Sequence, residues 1–158
     1  LPETEIPGAI NLKLPEFLDG YIYTIYSEES QKKISKGLDS FIDVALFDSE
    51  KSKANKLTNE DLDFQLAKYL KADNDQKNYW KKQDSDHQKA LKNKGNSPNL
   101  PKEALAYGFA NQLRSLSITA FKTNEYIGEN VLAYAPIPGE QRGCVDLKET
   151  TGGKIWSL

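Results

Sequence analysis

Few residues of this chain could serve as a nucleophile or its base. His87 is the only histidine and Cys144 the only cysteine among 158 residues, so these two alone could form a cysteine–histidine pair. A thiol nucleophile needs its base within hydrogen-bonding reach. Because His87 lies in a polar, helix-compatible stretch and Cys144 in a predicted strand, nothing brings them together. The lone thiol excludes an intramolecular disulfide, and we expect a small buried side chain or a site of pairing between chains.

A second candidate combines Asp84 with His87, which are three residues apart and would share one face of a helix. The pair could bind a cation, or it could supply the acid and base of a small carboxylate-dependent hydrolase. One histidine beside carboxylates is a weak metal signature, and a solvated charged face explains it better. We therefore predict no catalytic residue, no metal and no cofactor.

Composition limits the class of partner. The chain is 38% hydrophobic and 28% charged with a net charge of −2, which is typical of a water-soluble domain. Arg114 and Arg142 are the only arginines, and arginine is the residue that most often reads guanine and clamps phosphate. No apolar run approaches the roughly 20 residues that cross a bilayer. We predict no nucleic-acid partner and no membrane span.

The beginning of the chain suggests a compartment. The sequence contains no methionine, so we expect an initial segment to have been removed. The polar, proline-rich start "LPETEIPG" is typical of the residues that follow a signal-peptide cleavage site, although a domain cut from a longer protein is the alternative. The prediction is an extracytoplasmic protein, either periplasmic, secreted or on the cell surface.

The elements that would position these residues begin with two helices. Ser27 is a candidate N-cap for the first helix, in which Gly37 should cost about 1 kcal/mol. The apolar face of that helix repeats at helical spacing: Ile34, Leu38, Phe41, Ile42, Ala45 and Leu46. A second helix over 57–71 begins with Thr58 and Asp61, whose spacing is a variant of the capping box.

A largely polar helix over 72–95 and an apolar-striped helix over about 101–121 complete the predicted helices. Alternation of apolar and polar residues indicates strands over 9–14, 131–136, 143–147 and 154–158, and the β-rich composition of 20–27 indicates a strand or an extended lead-in. The last three strands form a three-stranded meander. Helices followed by strands predict an α+β fold, with three or four helices packed on a small antiparallel sheet.

The chain is expected to form one domain with an arm. Prolines in residues 1–19 predict an extended N-terminal arm, which could add a strand to a neighbouring sheet. Residues 20–158 form a single α+β domain that buries roughly 70% of its unfolded surface. Trp156, in the last strand, is expected to pack against the helices.

The most informative remaining signal is aromatic. Tyrosine and tryptophan amid lysines are typical of protein-interaction hot spots, although they also occur at the rim of ordinary cores. The candidate partner-binding residues are Tyr79, Trp80, Lys81, Lys82 and Tyr134. The run "NYWKKQ" (78–83) carries four of them in a helix with little other apolar surface.

The function predicted from these features is that of an extracytoplasmic, non-enzymatic protein that binds another protein. It would be an inhibitor or immunity protein, or a subunit of a periplasmic or surface assembly, including a pilin-like one. Against the pilin-like alternative, this sequence lacks the apolar N-terminal helix that pilins use for assembly. A small carboxylate-dependent hydrolase is the alternative function. The sequence is also compatible with an oligomer.

Overall fold

The computed structural model describes residues 6–92, 100–133 and 146–156, and most of them are helical. The α-helices within these ranges are α1 (Leu14–Ile25), α2 (Glu28–Asp48), α3 (Asn59–Leu70), α4 (Asn74–Lys92), α5 (Lys102–Lys122) and α6 (Leu147–Thr151). A 3₁₀ turn at Ala54–Lys56 and a π-helical turn at Ile127–Val131 complete the helical elements in these parts of the chain. Among the described residues, no helix is long and apolar enough to cross a bilayer.

The predicted α+β fold is wrong, because the described residues contain no strand. They contain an isolated bridge between Ala133 and Trp156, where the Ala133 N–H donates to the Ile155 carbonyl at 2.8 Å. Where the meander was predicted, α6 follows Asp146, whose side chain accepts from the Glu149 N–H at 2.9 Å. This N-cap favours a helical turn that begins at Leu147, the last residue of the predicted strand 143–147, and continues into the connection that follows it. The predicted strand segments 134–136, 143–145 and 157–158 lie outside the described residues.

The two N-terminal strands are also wrong. Residues 9–13 form turns and α1 follows directly, with Pro15 in its first turn, where proline is tolerated. The β-rich composition of 20–27 concealed a helical repeat that includes Leu14, Leu18, Tyr21, Ile22 and Ile25. A period of 3.6 residues therefore prevails over the strand propensity of individual residues.

Contacts group the chain into two compact units. The central unit is Ile25–Arg114, and the terminal unit combines Leu1–Thr24 with Ser115–Leu158. The division into an arm over 1–19 and a single domain over 20–158 stays a prediction.

The helices of the central unit begin where capping chemistry places them. Ser27 caps α2 by accepting from the Ser30 N–H at 3.3 Å, as predicted. In the capping box of α3, Thr58 accepts from the Asp61 N–H and its own N–H donates to the Asp61 carboxylate at 2.7 Å. The predicted helices over 57–71 and 101–121 are confirmed as α3 and α5.

The core cluster that the structure describes in the central unit is rich in aromatic rings. Its buried members are Phe41, Tyr69, Trp80, Ala104, Ala106, Tyr107 and Ala110. Gly37 on α2 allows a close approach, since a Cβ added there would lie 2.9 Å from the Cβ of Phe109 on α5. The helix-weakening glycine expected from the sequence is thus the point where two backbones pack together.

The terminal unit buries less. Its fully or nearly buried apolar residues among those described are Leu14, Ala120 and Ile127. Ile127 opens the π-helical turn, in which the Leu132 N–H donates to the Ile127 carbonyl at 2.9 Å. Many large apolar side chains of this unit are exposed: Ile6, Ile10, Phe17, Tyr21, Tyr23, Ile118, Tyr126, Leu147, Ile155 and Trp156.

Candidate functional site

The candidate site is built around Trp80 on α4. Its ring centroid lies 5.3 Å from that of Tyr69 and 5.0 Å from that of Tyr107. The Tyr69 ring in turn lies 6.1 Å from Phe41, whose ring is 5.6 Å from Phe109. These tilted and edge-to-face pairs have the separations that aromatic rings prefer. They join α2, α3, α4 and α5, so Trp80 is held from several sides.

A polar chain runs along one side of these rings. The Tyr69 hydroxyl donates to Glu103 Oε2 at 2.7 Å and accepts from Gln65 Nε2 at 3.3 Å. Lys68 Nζ donates to Glu103 Oε1 and to Asp48 Oδ2, each at 2.9 Å. One lysine, one tyrosine and two carboxylates are therefore satisfied together at the edge of an apolar core, as buried polar groups require.

The surroundings of Tyr69 and Lys68 fix the protonation states of these two side chains. Burial, together with the hydrogen bond to Glu103 and the charge of that residue, raises the pKa of Tyr69 far above its usual value of 10.0. Burial alone would lower the pKa of Lys68, but the hydrogen bonds to Asp48 and Glu103 outweigh it and raise that pKa. Tyr69 thus acts as a hydrogen-bond donor and Lys68 as a fixed cation, and neither is poised as a general base.

The predicted partner-binding residues on α4 separate into two groups. Trp80 is only 5% exposed and belongs to the core, whereas Tyr79 is 57% exposed. Lys81 and Lys82 are exposed as well. Gln83 Nε2 donates to the Tyr79 hydroxyl at 3.0 Å, which orients that ring. The buried tryptophan therefore fixes the helix that presents its exposed neighbours.

Trp80 lines two cavities. The larger, about 500 Å³, is lined by residues that include Lys68, Tyr79 and Glu103. The smaller, about 220 Å³, is lined by residues that include Lys81 and Asp84. Both lie within the central unit, and residues of α4 form part of the wall of each.

The proposed Asp84–His87 pair takes a different form. Asp84 Oδ2 lies 3.5 Å from Lys33 Nζ on α2, in a partly exposed ion pair. His87 is half-buried on the same helix. Among the residues that the structure describes, no group of three histidine, cysteine, aspartate or glutamate side chains is arranged to hold a metal ion.

Two singled-out residues, Tyr134 and Cys144, lie outside the described residues. Trp156 is 44% exposed. Sequence reasoning missed the Glu103–Tyr69–Lys68 chain. Tyr69 lies on the apolar stripe of the helix predicted over 57–71. The available signal was a tyrosine hydroxyl within that stripe, because a buried hydroxyl needs a partner.

Neither the curated proteins nor the solved structures give a match. Residues 1–139 match the family described as Gluconate 2-dehydrogenase subunit 3. A subunit of an oxidoreductase complex is neither an inhibitor nor a hydrolase, so the predicted functions are wrong. The predicted partner, another protein, is confirmed in general form, because a numbered subunit assembles with other chains. Since the match covers most of its length, the chain belongs to the gluconate 2-dehydrogenase subunit 3 family.

Proposed function

We propose that this chain serves a gluconate-oxidising complex by binding the other subunits through the exposed face of α4. The observation that carries the proposal is the contrast between adjacent residues: Trp80 is locked in the core, while Tyr79, Lys81 and Lys82 are exposed beside it. A surface aromatic on a rigid support loses little conformational entropy on binding. The face of α4 is therefore preorganised for a partner.

The charges of this face indicate what a partner presents to it. Lys81 and Lys82 are adjacent exposed cations, and the smaller cavity beside Trp80 is lined by Lys33, Ile34 and Phe109 among others. A complementary surface would place carboxylates against the lysines and an apolar side chain in this cavity. Tyr134 stays a proposed contact.

An extracytoplasmic location is compatible with the family and is part of the proposal. Cell fractionation of the intact complex tests this part separately, since a complex recovered wholly with cytoplasmic markers would contradict the location alone.

Co-purification tests the proposed interface. The tagged chain is expressed with the other subunits, and Tyr79→Ala and a Lys81→Glu/Lys82→Glu variant are compared with it. We expect each change to weaken subunit capture by about tenfold or more, as for the loss of an interface hot spot. Tyr134→Ala is examined alongside.

A matched control comes from the same unit. Phe64 is a large apolar residue exposed on α3, and Lys56 is an exposed lysine before that helix. Phe64→Ala and Lys56→Glu should leave capture unchanged. Equal capture by the α4 variants and these controls would reject α4 as the binding face.

A further inference from the structure

The larger cavity beside Trp80 has walls of mixed chemistry. It is about 500 Å³ and combines side chains from α3, α4, the start of α5 and the α3–α4 connection. The polar side chains that line it are Lys68, Asp73, Gln76, Tyr79, Gln83 and Glu103. Its volume is in the range of ordinary ligand pockets, and one wall is the most exposed aromatic ring of α4.

The charge balance of this cavity is negative. Among the described residues that line it, the one cation is Lys68, which is held between Glu103 and Asp48 by hydrogen bonds of 2.9 Å. Of these lining groups, the carboxylates of Glu103 and Asp73 against the Lys68 ammonium leave a formal surplus of one negative charge, to which the neighbouring carboxylate of Asp48 adds another. A ligand that carries negative charge is therefore disfavoured.

Hydrogen-bonding capacity is biased toward acceptors. The Glu103 side chain is 42% exposed, and its oxygens accept one hydrogen bond each, from Lys68 and Tyr69. Asp73 Oδ1 accepts from the Gln76 N–H at 2.7 Å, which caps α4. A carboxylate offers about four lone-pair sites, so both groups can accept further hydrogen bonds from a ligand.

We propose that this cavity binds the guanidinium group of an arginine side chain from a partner subunit. A guanidinium is planar, carries five donors and no acceptor, and stacks on aromatic faces. It would donate to Glu103 and Asp73 and lie against the Tyr79 ring. This inference deepens the proposed function, on which it rests, because it names the chemistry that the partner places beside α4.

The probe for the isolated full-length chain is methylguanidinium, with methylurea as its uncharged analogue of similar shape. The readout is the indole N–H resonance of Trp80 in a proton–nitrogen correlation spectrum. Trp156, in the terminal unit, is the only other tryptophan and serves as an internal reference. We expect methylguanidinium to shift the Trp80 resonance saturably, below denaturing concentrations, and methylurea to leave it unchanged.

Two variants connect this signal to the cavity. Asp73→Asn keeps a good N-cap residue on α4, and Glu103→Gln keeps an acceptor for the Tyr69 hydroxyl. Each should raise the apparent Kd of methylguanidinium by about tenfold, the effect of losing one charge-assisted hydrogen bond. Asp75→Asn is the matched control, since Asp75 is exposed on α4 and does not line the cavity. No saturable shift, or equal shifts with methylurea, would overturn the proposal.

Subunit capture separates this inference from the function on which it rests. If Asp73→Asn loses both the methylguanidinium shift and most of the subunit capture, the partner arginine and the α4 interface are both supported. If that variant loses the shift but captures the other subunits normally, the partner arginine is rejected and the α4 interface survives. If the unaltered chain captures no subunit, the proposed function fails, and the partner arginine fails with it.

Discussion

The two units of this chain bury their apolar residues very differently. The central unit encloses Phe41, Tyr69, Trp80 and Tyr107 in one aromatic cluster, which the chain Glu103–Tyr69–Lys68 borders. In the described part of the terminal unit, the buried apolar residues are Leu14, Ala120 and Ile127, and larger apolar side chains remain exposed. Apolar residues are thus abundant in both units, but they form a large buried cluster in the central one.

This difference shows that the apolar content of a segment does not determine how much apolar surface it buries. Buried area stabilises a fold by roughly 25 cal/mol per Å², whereas an exposed ring contributes little until something covers it. We therefore expect substitutions in the central unit to change the free energy of unfolding, and matched substitutions in the terminal unit to change it much less.

The largest effect is expected at the tryptophans. Trp80→Ala should lower the free energy of unfolding by about 3–5 kcal/mol, because it removes a ring packed between Tyr69 and Tyr107. Trp156→Ala, at a 44% exposed position in the terminal unit, should cost less than about 1 kcal/mol. Chemical denaturation followed by circular dichroism measures both. Equal losses would remove the distinction between the units.

A smaller effect is expected at Gly37. An alanine there brings its Cβ to 2.9 Å from the Phe109 Cβ, so Gly37→Ala should destabilise by about 1–3 kcal/mol through overpacking. Gly108→Ala in α5 meets no atom within 4 Å and should stabilise by about 1 kcal/mol, since alanine is the better helix former. Thermal unfolding of the two variants gives the signs, and a stabilising Gly37→Ala would contradict the close packing.

Opposite signs for these two glycines would show what sequence reasoning can reach. From propensity alone, Gly37 and Gly108 are equivalent helix-interior glycines. Only the position of Phe109 on another helix distinguishes them, and that position depends on how α2 and α5 pack. Local signals therefore predicted the caps at Ser27 and Thr58, but not this contact.

One error in the predicted fold has a different, local origin. In 20–27, tyrosine and isoleucine have high strand propensity, but the apolar repeat from Leu14 to Ile25 is helical. At the candidate site, the α4 face around Tyr79 could be named from residue types alone. The Glu103–Tyr69–Lys68 chain could not, because its members are distant in sequence and meet only through tertiary packing.

Tyr69→Phe tests the polar chain of the central unit. At neutral pH we expect a loss of about 2 kcal/mol, because the change removes the hydrogen bond to Glu103 and leaves a Gln65 donor unpaired. Urea unfolding at a series of pH values is the measurement. Tyr126→Phe, at an exposed position in the terminal unit, is the matched control.

The pH dependence of this variant has a definite sign. Burial raises the pKa of Tyr69 above its ordinary 10.0, so the folded protein holds the phenolic proton more tightly than the unfolded chain does. The stability that this group contributes is therefore fully present below pH 10 and is lost progressively as the pH rises above it. Tyr69→Phe has no phenolic proton to lose, so its free energy of unfolding lacks this decrease. The difference in the free energy of unfolding between the native protein and Tyr69→Phe should therefore narrow above pH 10. A gap that widens above pH 10 would contradict the assigned burial.

The smallest effect is expected at the helix caps. Thr58→Ala should cost about 1 kcal/mol, because it removes the side chain that accepts from the Asp61 N–H at the start of α3. Asp146→Ala removes the corresponding cap of α6 in the terminal unit and should leave the main unfolding transition unchanged. The denaturant midpoints of both variants measure this difference: the midpoint should fall for Thr58→Ala and stay unchanged for Asp146→Ala.

Acid titration sharpens this last comparison. The hydrogen bond from Lys51, followed by that from the Thr58 N–H, lowers the pKa of Asp61 below its ordinary 3.8. The stability that this carboxylate contributes is therefore present above pH 3.8 and is lost as the pH falls through the lowered pKa. Asp61→Asn should destabilise the protein at neutral pH. In acid the native Asp61 carboxylate is protonated and also uncharged, so the variant and the native protein should then differ much less in stability. If the difference between the native protein and Asp61→Asn stayed constant down to low pH, the carboxylate would contribute nothing to α3 through its charge.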